Sequence, residues 1–123
     1  MTTPTDATTQ YVVLIFERET PNWPNDIPPE IMRASEELDQ RIAEQGGRVV
    51  AGLALQPIAT ATAIRSGVVT DGPFIETKEA LAGLYILEAR DLDHAIALAR
   101  MTPTVDGGVE VRPLLDFQLV EPD

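Results

Sequence analysis

The chain has no cysteine, so a disulfide framework, a thiol nucleophile and a thiolate metal site are all excluded. Basic side chains are scarce: nine Lys plus Arg stand against twenty Asp plus Glu, for a formal charge of -11. That is the wrong sign for a surface that tracks phosphates, and no nucleic-acid partner is expected. No apolar run approaches membrane-spanning length, and MTTPTDATTQ has neither the basic stretch nor the apolar core of a signal peptide. The expectation is a cytoplasmic protein that does not enter a membrane. Also missing are a glycine-rich phosphate loop, an HExxH pair, a G-x-S-x-G elbow and an EF-hand spacing of acids, and a single histidine cannot make a histidine pair. Neither a cofactor nor a metal is expected.

What is present reads as one domain over residues 10–120 behind a loose polar leader, 1–9. QYVVLIFE is a strand whose unbroken apolar run from Tyr11 to Phe16 calls for cover on both faces. A Pro- and Asn-rich loop, TPNWPND, follows. Pro28 and Pro29 suit a helix start and Glu30 complements its dipole. Ile31, Ala34, Leu38 and Ile42 then recur at helical spacing until Gly46-Gly47. RVVAGLAL, ATATAIR and VVT read as strands, the last two joined by a Ser66-Gly67 hairpin turn. LAGLYILEA is another strand. DLDHAIALARM is a second helix capped by Asp91, with Leu92, Ala95, Ile96 and Ala99 facing the core, and VEVRPLLDFQLV gives a closing strand and a tail.

This order matches an α+β, ferredoxin-like split β-α-β antiparallel sheet with two helices on one face. The other face of YVVLIF and LAGLYIL would then stay apolar and wet, which is uncommon in a monomer. A homodimer, paired sheet face to sheet face as a dimeric α+β barrel, resolves the conflict.

Chemistry-bearing residues concentrate in TDGPFIETKEAL. Asp71-Gly72-Pro73 has the composition of a turn: Asp accepts from nearby amides, Gly permits positive φ and Pro fixes φ. At the mouth of a dimer cleft, Asp71 is also placed to act as a base and the sole lysine, Lys78, as its catalytic companion. Phe74, Glu76 and Arg112 are the candidate substrate contacts, Arg112 because its guanidinium can hold a carboxylate bidentately. Each has a plainer alternative: Glu76 to Glu79 as a solvated face, Arg112 in an ion pair with Glu110 or Glu76. His94 lies opposite the expected apolar stripe and reads as a solvated surface residue.

VTDGPFIETKEALAGLYILEARDLDHAIALA, with GGVEVRPL further on, resembles the signature block of the DGPF-type members of the YCII-related family. The likeness extends back to Tyr11 through Gly52 and QPIATAT. It implies a dimeric α+β barrel of ferredoxin-like subunits. Two functions are then expected: a small-molecule-binding protein, either a simple binder or a cofactor-free lyase or isomerase acting on a small acidic substrate in the dimer cleft, as the more distant relatives imply, or a non-enzymatic accessory dimer. The second follows because DGPF-type proteins are often encoded beside extracytoplasmic-type sigma factors, which makes such a factor the implied partner. The better understood YCII-related enzymes are associated with a His-Asp pair, and no histidine occurs near the first strand or first helix here. That chemistry does not carry over.

Overall fold

The structure is a computed structural model and describes residues 8–122. Most of the expected leader therefore lies outside the described residues, and its last residue, Thr9, already belongs to a strand. Six strands and two helices follow in the order β1 (Thr9–Glu17), α1 (Pro29–Glu44), β2 (Arg48–Ala54), β3 (Thr62–Arg65), β4 (Val68–Asp71), β5 (Ala80–Ala89), α2 (Leu92–Ala99) and β6 (Gly107–Pro113). Ala59 and Thr60, expected in a strand, instead form a 3-10 turn with Ile58. Their backbone is taken up by that turn and by the Glu19 carboxylate, which accepts the Ile58 N–H at 3.0 Å.

The main sheet runs β2-β5-β1-β6, antiparallel throughout, and β3-β4 form a separate hairpin. Both split β-α-β units are present, since β5 separates β2 from β1 and β1 separates β5 from β6. This is the ferredoxin-like arrangement. Register sorts the side chains. Tyr11 pairs with Leu87 and Val13 with Tyr85, and these four join Leu38 and Ile42 of α1 with Ala95 and Leu98 of α2 in one buried core. Both helices therefore cover the same sheet face. Val12, Leu14 and Phe16, with Leu84 and Ile86 opposite the first two, point to the other face, which no helix covers. Tyr11 and Tyr85 lie under the helices, in the core.

Gly83 sits where β5 is closely flanked. A Cβ at Gly83 would come 2.5 Å from the Leu53 carbonyl oxygen, so any larger residue would push β2 away. Next to it, Ala82 is the extra residue of a bulge opposite Ile15 and Phe16, and its carbonyl accepts the Leu55 N–H at 2.8 Å.

The α2 face differs from expectation. His94, Ala95, Leu98 and Ala99 are buried, whereas Leu92 and Ile96 are 47% and 42% exposed. An eight-residue helix rich in Ala and Leu offers two apolar stripes, and packing chose the one that inserts Leu98. His94 goes inside at little cost because its ring is fully partnered: Nδ1 accepts the Arg90 N–H at 3.0 Å and Nε2 lies 2.8 Å from the Gln45 carbonyl oxygen.

Candidate functional site

The TDGPFIETKEAL segment is built on the β3-β4 hairpin. Thr62 pairs with Asp71, Ala63 with Thr70, Ile64 with Val69 and Arg65 with Val68 around a Ser66-Gly67 turn in which both residues have positive φ. Asp71 ends β4, and the chain reverses at Gly72, whose φ of 98° favours glycine. The turn is closed by the Gly72 N–H donating to the Ala61 carbonyl at 2.8 Å. Among the described residues the Asp71 side chain makes no hydrogen bond, so the expected acceptor role in the turn belongs to backbone. The reversal folds Phe74 over one side of the hairpin, where the Arg65 guanidinium stacks 3.9 Å from its ring centroid. Ile64 and Val69 remain on the opposite side, exposed.

The five residues singled out from sequence fall in two places. Asp71 and Phe74 belong to the hairpin, and Glu76 is exposed on the segment leaving it. Lys78 instead lines a cavity of about 420 Å³ with Phe16, Gly108 and Glu110. Glu110 and Arg112 pair with Leu14 and Val12, so both point to the open sheet face. Lys78 and Arg112 thus share the uncovered side of the sheet, while Asp71 and Phe74 line no cavity with them. The ion pairs among the described residues are Arg18–Asp106 and Arg48–Glu88, and the expected pairing of Arg112 with Glu110 or Glu76 does not form.

A second site lies on the helix side, between α1 and the sheet, and none of those five residues lines it. Two adjoining cavities of about 360 and 380 Å³ share Ile15, Ser35, Leu53 and Pro103 as walls. One end is apolar, with Trp23, Ile27, Ile31, Met32 and Val105. The other end carries Asp39, Tyr85 and Thr102. Tyr85 Oη and Thr102 Oγ1 are 2.8 Å apart. Burial pushes the Tyr85 phenol up; the Thr102 hydrogen bond opposes this, and the nearby Asp39 charge adds to it. Tyr85 is therefore a neutral hydroxyl at physiological pH, able to donate as well as accept.

The wall formed by residues 102–106 is fixed at both ends. Thr102 meets Tyr85, and Glu17, buried at the end of β1, accepts the Val105 N–H at 2.7 Å and the Asp106 N–H at 2.9 Å, one on each carboxylate oxygen. A buried carboxylate costs little only when hydrogen-bonded in this way. The sequence held a signal for it, since Glu17 continues the parity of Tyr11, Val13 and Ile15. Ser35 and Asp39 gave little, because they are polar residues at the edge of the apolar stripe of α1. Among the described residues no three His, Cys, Asp or Glu side chains gather in a way that would hold a metal, and no helix is long and apolar enough to cross a membrane.

The chain is 33% identical over 113 residues to Uncharacterized protein R00369 of Rhizobium meliloti (strain 1021), an alignment covering 85% of this chain and 90% of that protein, whose name assigns it no activity. The YCII-related domain matches residues 10–118, which takes in every strand and helix described above except Thr9, the first residue of β1. The chain belongs to the YCII-related family.

Proposed function

We propose that this protein binds a small molecule in the cleft between α1 and the sheet and works as a homodimer paired through the open sheet face. The cleft carries the reading: two adjoining cavities with common walls, apolar at one end and hydrogen-bonding at the other, have the size and character of a ligand pocket. The dimer is supported by Val12, Leu14, Phe16 and Leu84 on the uncovered face. Charge points the same way. Arg48 and Arg112 balance Glu88 and Glu110 on that face, although the whole chain carries -11, and a face holding both signs is self-complementary across a two-fold axis.

Trp23 is the sole tryptophan and lines the apolar end, so its emission reports occupancy directly. Octanol titrated into the protein should give a saturable change in that emission. Ser35→Phe, which fills the junction of the two cavities, should abolish the change while preserving the melting temperature. No saturable response from the unmodified protein would remove the binding reading. Light scattering on the eluting protein should report twice the chain mass, and a monomer would remove the dimer.

A narrower reading, a lyase or isomerase acting on a small acid, draws on Lys78 and Arg112, which bring two cations to the open face. An accessory dimer that docks a sigma-factor-type protein draws instead on Ile64 and Val69, 65% and 62% exposed on one side of the hairpin. Retention of such a factor by the wild-type protein, and its loss on Ile64→Asp, would favour that alternative over the cleft.

A further inference from the structure

We infer that the ligand of the helix-side cleft is an amphipathic amine, with its aliphatic or aromatic body against Trp23 and its protonated nitrogen at Asp39. The inference rests on the cleft-binding reading and gives it a chemical class. Three observations converge. Apart from Glu17, Ser35 and Glu36, the apolar end is walled by hydrocarbon and aromatic side chains, among them Trp23, Ile31, Met32 and Val105. The opposite end presents acceptor-rich groups: the Asp39 carboxylate, the Ser35 hydroxyl and the Tyr85–Thr102 hydroxyl pair. Ser35 already donates its proton to the Ile31 carbonyl at 3.0 Å, so what it offers a ligand is a lone pair.

The charges are of one sign. Glu17, Glu36 and Asp39 line the two cavities and neither cavity is lined by Lys or Arg. Glu17 is committed to the Val105 and Asp106 amides, whereas Glu36 and Asp39 have no ion-pair partner among the described residues. Being three apart on α1, they lie on neighbouring positions of one helix face. A carboxylate ligand would meet repulsion here and no cation to answer it. An ammonium group meets a free carboxylate and up to three hydroxyl acceptors, the charge-assisted arrangement that gives the stronger hydrogen bonds. Asp39 already acts inside the cleft electrostatically, since its charge is felt at the Tyr85 phenol.

The test uses the intact protein and three ligands with the same tail: octylamine, octanol and octanoate, titrated at neutral pH and moderate salt and followed by Trp23 emission. Because Asp39 is solvent-exposed, the amine should bind about three- to fivefold tighter than the alcohol, and the acid weakest of the three. Asp39→Asn should bring the amine close to the alcohol and leave the alcohol unchanged. Glu44→Gln removes one negative charge from the end of the same helix, away from both cavities, and controls for general attraction to an acidic surface. If Glu44→Gln weakens the amine as much as Asp39→Asn does, or if octanoate binds as well as octylamine, the amine assignment is overturned while the cleft stands. If none of the three binds, the cleft reading falls with it.

Discussion

His94 Nε2 lies 2.8 Å from the carbonyl oxygen of Gln45, the residue that closes α1, so one buried ring ties the start of α2 to the end of the first helix. Because Nδ1 accepts the Arg90 N–H, the proton of the neutral ring must sit on Nε2 and be donated to Gln45. The side chain is structural. His94→Ala should destabilise the fold by about 1–3 kcal/mol in urea unfolding, since it removes a buried ring and leaves two backbone groups without partners. Octanol affinity of the folded fraction should be unchanged, as His94 lines neither cavity of the cleft.

Glu17 bears on the cleft itself. Glu17→Gln keeps the size of the side chain but turns an NH₂ donor toward one of the two amides it now accepts. The expected cost is about 1–3 kcal/mol of stability, with faster hydrogen exchange at Val105 and Asp106. Exchange at Leu87, deep in the core, should track only the change in global stability.

The Arg48–Glu88 pair gives a pH dependence of definite sign. Glu88 accepts from Arg48 at 3.0 Å, and that hydrogen bond, with a smaller one from Gln10, holds its carboxyl below the ordinary value against the opposing effect of burial. Its stabilising contribution is therefore complete above the unfolded pKa and lost as pH falls through the folded one. The stability difference between wild type and Glu88→Gln, measured by denaturant unfolding from neutral pH downward, should shrink steadily in acid. Arg48 is exposed and Glu88 only partly buried, so the difference should also shrink in high salt. A gap that widened on acidification would contradict this assignment.

Much of the architecture was legible because period and punctuation agree. The unbroken run Tyr11–Phe16, the prolines at the head of α1 and the Ser66-Gly67 turn each leave a local signature that tertiary packing did not override. The α2 face was not legible, because its burial depends on a ring satisfied by Gln45, forty-nine positions away in sequence. The cleft escaped for a related reason. Ser35 and Asp39 look like solvent-side residues of an amphipathic helix, and only the placement of Tyr85 and Thr102 turns that edge into a pocket wall. The acidic motif drew attention to Asp71 and Phe74, whose local density of charge and turn residues reflects a hairpin with its own strap.

That strap permits a clean separation of turn from site at the two residues that begin it. Gly72 holds φ at 98°, and a Cβ there would meet nothing within 4 Å, so any cost of Gly72→Ala comes from backbone conformation and not from a clash. The expected loss is about 1 kcal/mol. It should appear mainly as local opening of the hairpin, read as faster exchange at the Gly72 position and its neighbours, because the hairpin is a two-stranded unit separate from the main sheet. Asp71→Asn should leave stability unchanged within error, since its side chain makes no hydrogen bond among the described residues. If Asp71→Asn instead lowered the melting temperature by several degrees, the carboxylate would be holding the turn in solution; if it left melting unchanged but weakened binding of octylamine to the cleft, the hairpin would have to reach the helix side of a neighbouring copy.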